Sequence, residues 1–193
     1  AAQIAAFVLS CAAVGIDLSV ARLGILFLTA STVAAAAPTP GGVGAIEALP
    51  ELVASLRSLG LDDLALSTNG TTLARHAGPL HAAGLTRVNV SLDSLVTHRF
   101  AEMTRRDALD RVLGGIAAAQ AAGLAPVKVN CVVVGGTNDD EILDFVDFAR
   151  RTGCEVRFIE YMPLGAGGRW VPDGVVPAAE VLAGIAAHHE LSP

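Results

Sequence analysis

From residue 49 onward, hydrophobic and polar positions alternate between two periods. Leu52, Val53, Leu56 and Leu59 recur at helical spacing and predict a helix closed by Gly60. Leu64–Leu66 predicts a short strand. Leu73, Ala77 and Leu80 mark a second helix, ended by Gly84. Val88, Val90 and Leu92 then alternate with Asn89, Ser91 and Asp93, which is a strand pattern. Leu109, Val112, Leu113 and Ile116 carry the i, i+3, i+4, i+7 signature of a helix, and Gly123 follows its end. Val127–Val134 predicts a strand. Ile142, Phe145, Val146 and Ala149 face one way on the next helix, with Asn138 as its expected cap. Val156–Met162 predicts a last strand and Ala178–His188 a last helix.

One helix followed by four strand–helix repeats implies right-handed βαβ units and a parallel sheet. A doubly wound sheet and a segment of a barrel both fit. No Gly-x-Gly-x-x-Gly opens a helix after the first strand, which weighs against dinucleotide binding. There is no Gly-x-Ser-x-Gly elbow and no phosphate loop of the GxxxxGK[ST] type, so hydrolase and P-loop chemistry lack support.

The first 48 residues differ in texture. Residues 1–16 carry no charge, and after Asp17 and Arg22 the stretch Leu23–Ile46 is again uncharged. Within it, Leu23–Ala37 approaches the roughly 20 apolar residues of a membrane helix. It ends in Pro38-Thr39-Pro40-Gly41-Gly42, where the missing N–H of proline and flexible glycine backbone stop a helix. Two parts are therefore expected: an apolar helical segment, 1–48, and an α/β part, 49–193.

Composition narrows the function. Hydrophobic residues make up 52% of the 193-residue chain and charged ones 17%, the reverse of a disordered sequence. The formal net charge of −6 argues against an electrostatic grip on nucleic acid. Cys11, Cys131 and Cys154 are widely spaced, without a metal-ligand rhythm, and are expected to be small buried apolar residues in a reducing, cytoplasmic setting. His76, His81 and His98 are expected to face solvent, with no special role.

The polar parity within the strands locates the candidate chemistry. Asn89, Ser91 and Asp93 share one side of their strand, and Lys128 and Asn130 share one side of the next. The valines of opposite parity are expected against the helices, which leaves the polar set facing a barrel interior. Strand ends supply Ser67-Thr68-Asn69-Gly70, Ser91-Leu92-Asp93-Ser94, Lys128-Val129-Asn130 and Glu160-Tyr161-Met162-Pro163. Hydroxyls and amides at such places suit a nucleoside, and Lys128 suits a phosphate charge.

These segments carry a family resemblance. Leu-Pro-Glu-Leu-Val (49–53), Ala-Leu-Ser-Thr-Asn-Gly (65–70), Gly-Leu-Thr-Arg-Val-Asn-Val-Ser-Leu-Asp-Ser (84–94), Val-Lys-Val-Asn (127–130), Thr-Asn-Asp-Asp-Glu-Ile (137–142) and Glu-Val-Arg-Phe-Ile-Glu-Tyr-Met-Pro (155–163) resemble the GTP 3′,8-cyclase family of radical S-adenosylmethionine enzymes. The resemblance implies a partial (β/α) barrel of about four βα units. It implies GTP contacts at Ser67 and Lys128, and S-adenosylmethionine contacts at Ser91 and Met162. The family's reaction belongs to molybdenum-cofactor biosynthesis. A 4Fe–4S cluster cleaves S-adenosylmethionine, and the resulting radical drives closure of the GTP ribose C3′ onto C8 of the base. A homodimer is also implied.

This sequence departs from that family at its cluster. The CxxxCxxC motif is absent, and Gly41-Gly42-Val43-Gly44 stands where a Gly-Gly-Glu-Pro loop is expected. No catalytic or metal-ligating residue is therefore assigned, and the chain by itself is expected to be inactive. The run Ala-Pro-Thr-Pro-Gly-Gly-Val-Gly-Ala-Ile-Glu-Ala (37–48) has its own resemblance, to the membrane domain of lysylphosphatidylglycerol synthase and flippase-like proteins. Membrane contact through residues 1–48 follows as an expectation.

Overall fold

The computed structural model describes residues 49–162 and 172–191. They fall into two units divided after Leu61. The apolar segment 1–48, and Cys11 with it, lie outside the described residues.

The described part of the first unit is helix α1 (Leu49–Ser58). Pro50 sits in its first turn, where a missing N–H costs nothing. Glu51 near the start and Arg57 near the end both complement the helix dipole. Val53 is its buried residue.

The second unit is built on four parallel strands, β1 (Ala65–Thr68), β2 (Arg87–Ser91), β3 (Val127–Val133) and β4 (Glu155–Glu160). They lie side by side in chain order. Helix α2 (Leu73–Ala82) joins β1 to β2, α3 (Thr97–Thr104) and α4 (Leu109–Ala121) join β2 to β3, and α5 (Ile142–Thr152) joins β3 to β4. Helix α6 (Ala178–Ala186) follows β4. This is the α/β architecture of a partial (β/α) barrel. No helix among the described residues is long and apolar enough to cross a membrane.

Strict alternation decides what each face of the sheet does. Val88, Val90, Leu92, Val127, Val129, Cys131 and Val133 are buried on one face, at most 3% exposed. Leu73, Ala77 and Leu80 of α2 and Val112, Ile116 and Ala119 of α4 are buried in the same core. Phe145 of α5 meets Phe158 of β4 edge to face, with ring centroids 6.2 Å apart. Each fully buried valine or leucine contributes roughly 1.5–3 kcal/mol. Helices α2 and α4 approach closely through two glycines. A Cβ on Gly70, which has φ +76, would lie 2.9 Å from Val90 Cγ1, and one on Gly115 would lie 2.5 Å from the Gly70 carbonyl oxygen.

Several expected boundaries move. The first strand is Ala65–Thr68 rather than Leu64–Leu66, since Leu64 instead uses its carbonyl to accept from Thr86 and Arg87 amides. The last strand ends at Glu160, two residues before Met162, and the last helix ends at Ala186. Helix α3 was not expected, because in Thr-His-Arg-Phe-Ala-Glu-Met-Thr only Phe100 is buried and no apolar period announces it. Asn138 does not cap a helix with its side chain. Its amide instead ties two strand-end loops together.

Candidate functional site

The polar parity puts a second, chemically different face on the sheet. Register aligns Ser67 with Asn89, Asn89 with Lys128, and Lys128 with Glu155. In a parallel sheet aligned partners share a face, so these four form one row across all four strands. Two residues further along, Ser91 aligns with Asn130 and Asn130 with Arg157, giving a second row. Parallel strands buried on both faces read as continuous apolar runs, and these do not. One face carries helices, and the other carries hydroxyls, amides and charges.

The lower row is held by side-chain bonds. Asn89 Nδ2 donates to Ser67 Oγ at 3.3 Å. Lys128 Nζ pairs with Glu155 Oε2 at 2.9 Å, and the lysine side chain is only 14% exposed. Below this row, Arg87 donates to the Asp63 carboxylate and holds that carboxyl below its usual range. In the upper row Ser91 is exposed. The sheet thus brings Ser67 and Lys128 into one row and Ser91 into the next. Met162 lies past the end of β4 and is 48% exposed, outside both rows.

Above the rows, the loops at the C-terminal strand ends are locked by buried polar groups. Asn138 Nδ2 donates to the carbonyls of Asp93 and Val132, at 2.5 and 2.9 Å, and its Oδ1 accepts from Val134 N at 2.7 Å. Glu141 is buried. Its carboxylate accepts from Ser94 Oγ at 2.7 Å, Leu95 N at 2.6 Å and the Arg99 guanidinium at 2.5 Å. These bonds fix the loop that leaves β2 just after Ser91. Sequence reasoning passed over Arg99 and Glu141, although the Asn-Asp-Asp-Glu run containing Glu141 was legible as a motif.

A cavity of roughly 280 Å³ opens beside this loop, bordered by Asn69, Thr71, Ser91, Asp93, Thr104 and Arg106 among others. Asp93 Oδ1 accepts from Val132 N at 2.9 Å. Burial pushes the Asp93 carboxyl above its ordinary value of 3.8, and the Val132 amide only partly offsets this. A raised folded-state value means that folding favours the protonated acid, so stability is lost as pH rises through that value. Asp93→Asn imitates the protonated form. It is expected to raise the thermal midpoint at pH 7, with the advantage shrinking as pH falls towards 3.8. Melting curves of both proteins between pH 7 and pH 4 check this.

The two described thiols do not fit an iron–sulfur cluster. Cys131 and Cys154 are both buried and free. Cys131 belongs to the helix-covered face, and its thiol is pushed far up by burial, with Asp93 and Glu141 adding negative charge. Burial also raises the Cys154 thiol. Clusters of this kind require converging thiolates, and no metal-holding group of side chains occurs among the described residues. The thiols here are core residues, as the sequence predicted for them.

The comparisons with known proteins decide the family. The Radical SAM superfamily profile matches residues 37–149. The chain belongs to this superfamily. Among curated relatives, the GTP 3′,8-cyclase of Ectopseudomonas mendocina is 56% identical over 119 residues, covering 60% of this chain and 36% of the relative. That of Acidothermus cellulolyticus is 49% identical over 147 residues, 75% of this chain and 41% of the relative. GTP 3′,8-cyclase 1 of Pseudomonas aeruginosa is 47% identical over 152 residues, 79% of this chain and 44% of the relative. The chain thus spans less than half the length of these relatives. The profile match begins within the residues assigned above to the apolar segment.

Proposed function

We propose that this chain is the nucleotide-binding portion of a GTP 3′,8-cyclase of molybdenum-cofactor biosynthesis, a radical S-adenosylmethionine lyase. GTP lies along the lower row, with Ser67 contacting the nucleotide and Lys128 facing its phosphates. S-adenosylmethionine lies above, contacted by Ser91 and by Met162. The observation that carries this reading is the polar face itself. A lysine only 14% exposed, two hydroxyls and two amides line one side of a parallel sheet in a chain up to 56% identical to GTP cyclases. The described residues hold no group of side chains for a cluster, so the proposal is confined to binding of the two ligands.

Lys128 gives a direct test. In this structure Glu155 neutralises it. A phosphate competes with that carboxylate for the ammonium group. Lys128→Ala is expected to weaken GTP binding about tenfold, equivalent to roughly 1.4 kcal/mol. Glu155→Gln is expected to strengthen it severalfold at low salt, with the gain fading as ions screen the site. Calorimetric titration of GTP into the three proteins reads both effects. Identical binding by all three rejects the lower row as the GTP site. The same reading carries a cytoplasmic location and a homodimer, which sedimentation of the purified chain tests.

A second reading concerns residues 1–48, where the uncharged run Leu23–Ile46 favours membrane association. It predicts that the full chain partitions into detergent while residues 49–193 do not. A full chain that stays in the aqueous phase defeats it.

A further inference from the structure

Helix α3 is held to the rest of its unit by very little. Of its eight residues only Phe100 is buried, whereas α4 buries Leu109, Val112, Gly115, Ile116 and Ala119. Phe100 and Thr104, one turn apart, border the cavity of roughly 280 Å³ beside Ser91 and Asp93. Glu102 and Met103 border a second cavity, of roughly 540 Å³, together with Val134 and Thr137. The helix therefore has a hollow against two of its faces, where a core helix has close-packed side chains. A segment with so few buried apolar contacts opens locally at a lower free energy than the whole domain unfolds.

The two ends of α3 are built differently. Before the helix, Ser94 Oγ and Leu95 N donate to the buried Glu141 carboxylate, and Val96 N donates to Ser94 Oγ, so the entry is fixed. After it, Arg105 has φ 57 and ψ 31, the one non-glycine residue at positive φ among the described residues. A side chain in that conformation crowds its own backbone, a strain that glycine does not carry. Between the ends, Arg99 holds the helix down. Its guanidinium donates to Asp140 at 2.8 and 3.1 Å and to Glu141 at 2.5 Å. Glu141 keeps Ser94 and Leu95 whether or not Arg99 is in place. The Arg99 contacts can thus part while the loop after β2 stays fixed.

We propose that α3 is a latched cover over the cavity beside Ser91. It opens when Arg99 leaves Asp140 and Glu141 and Phe100 leaves its buried site. The chain turns at Arg105, where leaving the left-handed conformation relieves strain and a change of φ and ψ is easily absorbed. Opening admits S-adenosylmethionine to the cavity, and closure sets Phe100 and Thr104 along its border. The identity of that ligand rests on the proposed function, whereas the independent opening of α3 does not.

Hydrogen exchange of the full 193-residue chain, read by mass spectrometry, tests the cover. Without ligand, the amides of residues 100–104 are expected to exchange about tenfold faster than those of α4. Asp140→Ala, at a side chain 67% exposed, is expected to speed α3 severalfold. Arg99→Ala is expected to speed it about tenfold, with the ratio of α3 to α4 exchange rising in both variants. A general loss of stability would lower that ratio, because it exposes α4 as well. Arg105→Gly is expected to slow α3 severalfold, since glycine takes the closed conformation without strain. Saturating S-adenosylmethionine is expected to slow α3 severalfold and leave α4 unchanged. Equal exchange of α3 and α4 in the parent overturns the inference, and so does a ratio that neither latch variant raises. Calorimetry on the same samples separates the two readings. S-adenosylmethionine that binds without slowing α3 overturns the cover and leaves the proposed function standing. A parent chain that does not bind it defeats the proposed function, and the cover's role with it.

Discussion

Glu141→Ala is expected to lower the unfolding free energy by about 3–5 kcal/mol, the range found when one partner of a buried charged network is removed. The carboxylate is 2% exposed and accepts from three donors. Without it, the Leu95 amide loses its acceptor, at about 1–3 kcal/mol for a buried group left unmade, and the Ser94 hydroxyl keeps only the Val96 carbonyl at 3.2 Å. Arg99 suffers less, since its guanidinium still reaches Asp140 and is 22% exposed. Glu141→Gln retains volume and one acceptor oxygen, but presents an amino group to a site that supplies only donors. It is expected to recover about half of the loss, by the same reckoning. Urea unfolding of the three proteins measures these values. A loss below about 1 kcal/mol for Glu141→Ala, the scale of an exposed pair, contradicts a buried network. The functional consequence is local: the loop leaving β2 after Ser91 is held by these bonds, so ligand contacts at Ser91 depend on it.

The second large effect separates two adjacent glycines of α4. Gly115→Ala is expected to destabilise by about 1–3 kcal/mol, the cost of overpacking a filled core. The added methyl would sit 2.5 Å from the Gly70 carbonyl oxygen and 3.1 Å from Leu73 Cβ. The first of these is backbone in the tight turn after β1, so relief requires α4 to move away from α2. Gly114→Ala meets nothing within 4 Å. In a helix interior it is expected to stabilise by about 0.5–1 kcal/mol, because alanine has less chain entropy to lose. Opposite shifts in thermal midpoint from neighbouring residues are the expected result. Equal shifts would mean that α2 and α4 are not in close contact.

Much of the architecture was legible along the chain. Alternation in residues 88–93 and 127–134 placed the valines against helices and left Asn89, Ser91, Lys128 and Asn130 on the other face. That pattern survives folding because the side-chain period of a strand is fixed at two. Helix faces such as Leu109, Val112 and Ile116 were legible for the same kind of reason. Helix α3 was not, since its single buried residue, Phe100, produces no period.

The sequence by itself determined the α/β order, the polar parity of the strands and the absence of a cluster motif. Each is a property of nearest neighbours or of residue type. Only the tertiary structure decided the rows. Ser67 and Lys128 are 61 positions apart, and their common row depends on parallel register through Asn89. Only the structure showed that Asn138 bonds Asp93 and Val132 instead of capping a helix, and that Glu141 joins Arg99 to Ser94. Polar side chains are legible as polar, but their partners come from elsewhere in the chain. A buried hydrogen bond is decided by geometry in three dimensions, which no local pattern encodes.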